Sequence, residues 1–256
     1  MRLQSKHHVR VGNTVIGGEQ PLVCLPMVAK DKADMLTQAR ELILLDPDLL
    51  EWRIDGYANV LDIKDCINAL KDLQGIIHPV PLIFTCRIES EGGLQPIPDQ
   101  ARLDLILGAM ETGLVDIVDT ELCNNKGFID SVVKAGRQFE TKVILSYHDF
   151  IQTPSKKFIL DKLTRAQEMG ADIAKLAAMP NGYEDVLALM DATLAARNGQ
   201  VDIPIVTISM GEQGAVSRVS GGIFGSDITF AIGKKSSAPG QIPITELRQA
   251  MSVLYP

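Results

Sequence analysis

One lysine stands inside a run of small and apolar residues, and it is the side chain best suited to covalent chemistry. Lys175 lies in Ala-Asp-Ile-Ala-Lys-Leu-Ala-Ala-Met, a composition typical of a buried strand. Lysine is almost never buried without a partner. Removal from water favours the neutral amine, which can attack a carbonyl carbon and form an imine. The alternative is a lysine that extends out of the end of the strand into water.

A histidine at the end of a second apolar run is placed to move protons. His148 follows Val-Ile-Leu-Ser-Tyr and precedes Asp-Phe. Histidine is the side chain whose ordinary pKa suits proton transfer near neutrality. A purely structural histidine is the alternative, but the position at the end of a predicted strand favours a catalytic role.

Two charged residues interrupt a third run, Leu-Leu-Glu-Trp-Arg-Ile-Asp. Alternation along a strand puts Glu51 and Arg53 on one face and Trp52 and Ile54 on the other. Because buried charges need partners, Glu51 and Arg53 either form an ion pair inside the fold or contact a bound molecule.

Further charged residues follow two other runs. Arg87 ends one of them, and Glu91 comes four residues later. A solvated loop is the alternative explanation for these charges. The next run ends with Asp116, Asp119 and Glu121. Their carboxylates could hold a metal ion or orient a nearby cation, and we favour the second interpretation for Glu121.

Two segments near the C-terminal end carry side chains suited to a carboxylate and to hydroxyl groups. Arg218 lies in Val-Ser-Arg-Val-Ser-Gly-Gly, and arginine can bind a carboxylate through two parallel hydrogen bonds. The segment 236–241 contains Ser237 and Gln241. Its small residues predict either a lid over the site or a plain connection into the last helix.

The elements that must position these residues recur regularly. Eight apolar runs with helical patterns between them have centres roughly 25–33 residues apart, the length of one strand–helix unit. Eight alternating units predict a closed (β/α)8 TIM barrel, in which catalytic residues come from the carboxyl ends of the strands. The predicted strands are 22–28, 49–54, 81–87, 115–121, 143–148, 172–177, 203–210 and 228–232.

The segment before the first predicted strand suggests how one end of the barrel is closed. Residues 9–11 and 15–16 flank Gly12-Asn13, which predicts a β-hairpin. An open doubly wound sheet is the main alternative, but it often has a glycine fingerprint after its first strand, and none follows residues 22–28. No linker divides the chain, so we predict one catalytic domain over residues 1–256.

Composition excludes several classes of function. The 256 residues carry 25 Lys+Arg and 32 Asp+Glu, a net charge of −7 that argues against a nucleic-acid-binding surface. The spacing of the four cysteines and four histidines supports neither a disulfide framework nor a histidine-built metal site. No apolar run has the length of a membrane span, and the N-terminus lacks a signal-peptide core. A cytoplasmic protein that does not bind membranes is therefore expected.

The motifs together resemble one family. In order they are Glu-Trp-Arg-Ile-Asp, Arg with Glu-Gly-Gly four residues on, Ser-Tyr-His-Asp-Phe, Ala-Asp-Ile-Ala-Lys, Ser-Met-Gly, Ser-Arg and Ser-Ala-Pro-Gly-Gln. Each is short, but in register they resemble the type I 3-dehydroquinases (3-dehydroquinate dehydratases) of the shikimate pathway, from about Val9 to the C-terminus. Cys86 departs from the pattern, because many members have an aromatic residue before the arginine.

The resemblance implies a reaction and a set of roles. The implied reaction is syn elimination of water from 3-dehydroquinate to give 3-dehydroshikimate, in a homodimer that needs neither a metal nor an organic cofactor. Lys175 is the implied Schiff-base lysine, His148 the general acid and base, and Glu91 the residue that orients His148. The implied substrate-binding residues are Glu51, Arg53, Arg87, Arg218, Ser237 and Gln241.

Two other functions remain as alternatives. A Schiff-base class I aldolase shares the barrel and the lysine, although it would usually have a phosphate site after the seventh and eighth strands. A barrel kept only as a binding module predicts losses among the polar residues, and none of the matched positions is lost.

Overall fold

Eight parallel strands form the inner wall of the molecule, and helices surround them. The computed structural model describes residues 2–234 and 238–255. An antiparallel pair, β1 (Val9–Val11) and β2 (Thr14–Ile16), precedes the sheet. The strands of the sheet are β3 (Leu22–Met27), β4 (Leu49–Arg53), β5 (Leu82–Thr85), β6 (Ile117–Glu121), β7 (Lys142–Asp149), β8 (Ile173–Ala178), β9 (Ile205–Ser209) and β10 (Ile228–Phe230). The helices are α1 (Lys32–Ile43), α2 (Ile63–Ile77), α3 (Asp99–Glu111), α4 (Lys126–Gln138), α5 (Lys156–Glu168), α6 (Tyr183–Asn198), α7 (Ala215–Ser220) and α8 (Ile244–Leu254).

The strands close into a barrel because each pairs with the next along the chain and the last pairs with the first. The order in the sheet is β10-β3-β4-β5-β6-β7-β8-β9. A parallel bridge between Ile205 and Ser226 joins β9 to the segment that enters β10. Right-handed strand–helix–strand units of this kind build a (β/α)8 barrel. The predicted TIM barrel is therefore confirmed.

Alternation along each strand separates an outer layer from an inner one. On β4, Trp52 faces the helices, is fully buried and meets Phe84 edge to face at a centroid distance of 5.7 Å. Its neighbour Glu51 points into the barrel. Because side chains two positions apart share a face, each strand sends its inward polar residues to one common interior.

The β1–β2 hairpin closes the amino end of the barrel, as predicted. Val9, Val11 and Ile16 lie in the same buried apolar cluster as the inner residues Ile117 and Ile144. This apolar plug leaves the carboxyl ends of the strands as the open end. Within the described residues, no helix has the length and apolar character needed to cross a membrane.

Candidate active site

The structure gathers the predicted site residues around one cavity at the carboxyl end of the barrel. Eight of the nine line it: Glu51, Arg53, Arg87, Glu91, His148, Lys175, Arg218 and Gln241. The ninth, Ser237, lies outside the described residues. The remaining wall is largely apolar and includes Phe150, Ile208 and Phe230.

Lys175 lies in β8 and points into the cavity, with only 5% of the residue exposed. Its Nζ donates to Asp119 Oδ2 at 2.8 Å and lies 3.8 Å from Glu51 Oε1. The ring of Phe230 covers another side of the amine, with its centroid 4.5 Å from Nζ. The alternative of a lysine extending into water is therefore wrong, since the amine is enclosed among carboxylates and an aromatic ring.

Asp119, on β6, is the carboxylate closest to the lysine, although the sequence analysis gave it no role there. Its other oxygen, Oδ1, accepts a hydrogen bond from Ser146 Oγ at 2.6 Å and forms an ion pair with Arg87 Nη2, 2.9 Å away. Burial opposes ionisation of Asp119, but Arg87 and Lys175 hold its pKa well below the ordinary range. Alternation along β6 was the available signal, because it puts Asp119 on the inward face together with Glu121.

Glu121 orients cations rather than a metal ion. Its Oε1 accepts a hydrogen bond from Arg87 Nη1 at 2.7 Å, and its Oε2 accepts one from Arg102 Nη2 at 3.1 Å. Arg102 comes from α3, is fully buried and stacks on Phe128. The sequence analysis missed it, although Arg102 lies on the same helical stripe as the buried residues Leu105 and Ile106. Among the described residues, no group of three or more His, Cys, Asp or Glu side chains could hold a metal ion.

Asp116 does not belong to the site. The sequence analysis placed it near the carboxyl end of a strand, but it precedes β6 and lies at the amino end. Its Oδ2 accepts the backbone N–H of Leu82 at the start of β5, 2.8 Å away. Asp116 therefore ties two strand starts together and cannot reach the cavity.

Glu51 and Arg53 share a face as predicted, but they do not pair with each other. Arg53 instead forms two 2.8 Å hydrogen bonds to Asp55, from Nε to Oδ1 and from Nη2 to Oδ2. Glu51 Oε1 accepts the hydroxyl of Thr85 at 2.8 Å. Because Asp55 neutralises Arg53, Glu51 remains directed towards Lys175.

His148 and Glu91 form the second chemical unit of the site. Glu91 Oε2 lies 3.0 Å from His148 Nδ1 and accepts the backbone N–H of His148 at 2.8 Å. Burial, reinforced by Arg87 and Lys175, lowers the pKa of His148, so its imidazole is neutral. Burial also raises the pKa of Glu91 to about 7, although Arg87 opposes the shift. An ionised Glu91 accepts Nδ1–H and leaves Nε2 free to take a proton.

Two glycines allow Glu91 to reach His148. Gly92 has a φ of +87°, in the left-handed region that glycine adopts readily. A Cβ on Gly93 would lie 2.4 Å from the carbonyl oxygen of Arg87. The Glu-Gly-Gly motif therefore folds the chain tightly back after β5, with Glu91 inside the cavity.

Arg218 is a buried cation at the opposite wall. It lies in α7, and its Nη1 and Nη2 donate to the carbonyl oxygens of Phe230 and Pro239 at 3.2 and 2.8 Å. In residues 2–234 and 238–255 no carboxylate pairs with it, and Nε has no hydrogen-bond partner. Burial lowers the pKa of Arg218 to about 10. Such a cation favours a bound anion, and Gln241 lines the same cavity.

Comparisons with known sequences agree on one family. The model of a family described as Type I 3-dehydroquinase matches residues 23–256. A 3-dehydroquinate dehydratase of Clostridioides difficile strain 630 is 42% identical over 250 residues, which cover 98% of each chain. That of Geobacillus thermodenitrificans is 40% identical over 252 residues, 98% of this chain and 97% of the relative.

Solved structures of similar chains belong to the same family. The type I 3-dehydroquinate dehydratase of Clostridium difficile superposes with a TM-score of 0.94 at 42% identity, covering 97% of this chain and 98% of that one. That structure contains covalently modified comenic acid. The 3-dehydroquinate dehydratase of Geobacillus kaustophilus gives a TM-score of 0.96 at 40% identity, covering 99% and 98%.

Proposed function

Since the chain belongs to the type I 3-dehydroquinase family, we propose that it converts 3-dehydroquinate to 3-dehydroshikimate through a Schiff base on Lys175. The observation that carries this proposal is the enclosed amine of Lys175, in one cavity with the His148–Glu91 pair and the buried cation of Arg218. A covalently modified ligand in the structure of the Clostridium difficile relative also supports covalent chemistry at such a site.

The lysine supplies the electron sink. Nζ attacks the ketone carbon of the substrate, and loss of water from the adduct leaves a protonated imine. The positive nitrogen withdraws electrons from the neighbouring carbon and makes its C–H bond acidic. Elimination of a β-hydroxyl then needs only a group that moves protons, because the protein has supplied the electrophile.

His148 is the proton carrier in this proposal. Its neutral imidazole takes the proton from the carbon next to the imine, and the electron pair shifts towards nitrogen to form an enamine. The resulting imidazolium then protonates the departing hydroxyl, and the enamine electrons expel it as water. Hydrolysis of the conjugated imine releases 3-dehydroshikimate and restores the Lys175 amine.

The other residues hold the substrate. Arg218 pairs with the substrate carboxylate, while Glu51, Arg53 and Arg87 contact its hydroxyl groups. The expected closure by Ser237 and Gln241 remains a proposal, in which Gln241 adds a hydrogen-bonding amide beside Arg218.

The direct test is the appearance of the conjugated ketone. Incubation of the purified chain with 3-dehydroquinate is expected to give the ultraviolet absorbance of an enone, and incubation with sugar phosphates is expected to give no reaction. Cleavage of a sugar phosphate without dehydration of 3-dehydroquinate would instead identify an aldolase.

Replacing Arg218 by alanine is expected to weaken substrate binding more than it slows chemistry. Loss of a charged hydrogen bond costs about 1.5–3 kcal/mol, so we expect KM to rise by roughly 10–150-fold. Arg218→Lys keeps the charge but loses the planar pair of donors, and an intermediate KM is expected. A KM unchanged in both variants would show that the carboxylate binds elsewhere.

The physiological setting follows from the family. We infer that the chain acts in the cytoplasm, in the shikimate pathway that leads to aromatic amino acids, and that two copies associate. A face of α6 supports association, because Tyr183 and Leu187, one turn apart, are 66% and 68% exposed.

Sedimentation tests this association. The purified chain is expected to sediment at twice its own mass, and Leu187→Lys is expected to shift it towards the monomer, because a charge then replaces a buried apolar contact. Leu44→Lys, at a leucine after α1 that is 83% exposed, is the matched control. A monomeric wild type, or a Leu187→Lys variant that remains dimeric, would contradict the inferred interface.

A further inference from the structure

We propose that Asp119 is a catalytic residue, the fixed counterion that keeps the imine on Lys175 protonated. The inference rests on the Schiff-base function proposed above and adds to it a residue that acts on the reacting nitrogen. Asp119 forms no bond to the substrate and takes no proton. It stabilises the positive charge that the imine nitrogen carries while the neighbouring carbon loses its proton.

The geometry assigns this role through the two oxygens of the carboxylate. Oδ1 is held by Arg87 and Ser146, which leaves Oδ2 directed at Nζ, 2.8 Å away. Both oxygens are fully buried, so no water competes for them. When the Lys175 amine becomes an imine nitrogen, its remaining N–H stays within reach of Oδ2.

Glu51 is the other carboxylate near the lysine, and it fits the role less well. Its nearer oxygen is 3.8 Å from Nζ and already accepts the hydroxyl of Thr85. A charge–charge attraction weakens with distance, and a hydrogen bond to Nζ requires about 3 Å. Asp119 satisfies both conditions in the described structure, while Glu51 contributes a charge 3.8 Å away without a hydrogen bond to Nζ.

Asp119 remains ionised throughout the reaction because Arg87 is a permanent cation. Nζ is uncharged while it attacks the ketone, and at that moment the guanidinium of Arg87 still neutralises the carboxylate. Asp119 is consequently too weak a base to remove a proton from nitrogen or carbon. Its contribution is charge stabilisation in a site closed to water, where such stabilisation is strongest.

Several other groups around Nζ could also alter its protonation, and the experiment must separate their effects from that of Asp119. The titratable or charged side chains facing it are Cys24 on β3, Glu51 on β4, Arg87 after β5, Asp119 on β6 and His148 on β7.

The test measures the protonated imine directly. Cyanoborohydride delivers hydride to the carbon of a protonated imine and yields a stable secondary amine on the lysine. We would incubate wild type and Asp119→Asn with 3-dehydroshikimate and this reductant at pH 6 and pH 8, and quantify the adduct by intact-protein mass. Removing an opposite charge within about 4–6 Å shifts the pKa of a cation by about 1–3 units. The quantity compared is the ratio of the Asp119→Asn adduct to the wild-type adduct at the same pH. This ratio is therefore expected to be about tenfold or more lower at pH 8 than at pH 6.

Two further variants keep the test decisive if Asp119→Asn folds poorly. Asp119→Glu retains the charge, and its adduct relative to wild type is expected to be the same at both pH values. Ser146→Ala removes a hydrogen bond to Asp119 without removing charge, and the same pH-independent ratio is expected. A pH-independent ratio in Asp119→Asn, or a pH-dependent one in Asp119→Glu, would overturn the counterion role. Absence of any adduct on wild-type Lys175 would instead overturn the Schiff-base function itself.

Discussion

Replacing Lys175 by methionine is expected to lower turnover of 3-dehydroquinate by about 10⁴–10⁶-fold, the scale of loss when an enzyme loses its nucleophile. The substitution removes the amine that converts the ketone to an imine, and no other lysine lines the cavity in the described structure. Without the imine, the proton that must leave is far less acidic. His148 then remains in place but has no activated carbon on which to act.

Folding is expected to survive this change. Methionine has nearly the length of lysine and suits the apolar neighbours Phe230 and Ala177. Asp119 would lose one partner, but Arg87 and Ser146 still bind its Oδ1. Glu51 would lose the cation 3.8 Å away but would keep the hydrogen bond from the Thr85 hydroxyl, so a moderate loss of stability is expected rather than unfolding.

The matched measurement uses a surface lysine as its control. Lys157 lies on α5 and pairs with Asp161 at the outside of the barrel, so Lys157→Met is expected to keep full activity. Borohydride reduction during turnover should attach the ligand to Lys175 in wild type and in Lys157→Met, as peptide mass mapping would show. An adduct on a different lysine, or near-normal turnover in Lys175→Met, would rule out the assigned nucleophile.

The sequence was sufficient to predict the barrel and most of the wall of its cavity. Apolar runs recurring at the length of a strand–helix unit predict eight strands, and the strand ends then place polar residues at one mouth. Lys175 was recognisable because a lysine inside an apolar run needs a partner or a function, and His148 because it ends a predicted strand where catalytic residues of a barrel lie. These are local signals, and they do not depend on how the barrel closes.

The pairing of charges inside the barrel could not be predicted in the same way. Asp119 and Lys175 lie on strands separated by β7, so their contact depends on strand register and barrel curvature. Arg102 reaches Glu121 from a helix outside the sheet. Asp116 was misplaced because the observed strand begins at Ile117, two residues after the predicted start at residue 115, so that Asp116 precedes the strand. Each of these facts requires the relative position of distant segments, which a single sequence does not specify.

Replacing His148 by alanine is expected to slow turnover by about 10²–10⁴-fold, the usual contribution of a general acid–base. Imine formation still proceeds to some extent, because Lys175 and its carboxylate neighbours are untouched. The variant should therefore accumulate the imine between Lys175 and the substrate, whereas wild type converts that imine to the product imine. Borohydride trapping distinguishes the two, since the substrate and product adducts differ by the mass of one water. Near-normal turnover in His148→Ala would show that His148 is structural.

The pH dependence identifies what Glu91 adds to this histidine. In the folded chain burial raises the pKa of Glu91 to about 7, so the carboxylate is lost as the pH falls through that value. A protonated Glu91 no longer places a negative charge beside Nδ1–H, so the imidazole loses the charged hydrogen bond that makes Nε2 a stronger base. We therefore expect kcat/KM of wild type to fall below about pH 7, which reports ionisations of the free enzyme.

Glu91→Gln separates this ionisation from the presence of the side chain. Glutamine retains the size of Glu91 and an oxygen that can accept Nδ1–H, but it does not titrate. The variant is expected to be slower than wild type above pH 7. It is also expected to lack the acid limb of the pH profile, which is the fall in kcat/KM below pH 7. His148→Ala should lack the same limb, because Glu91 then has no imidazole to orient. If the limb persists in Glu91→Gln, another group carries it, and the assignment of Glu91 as the partner that positions His148 is wrong.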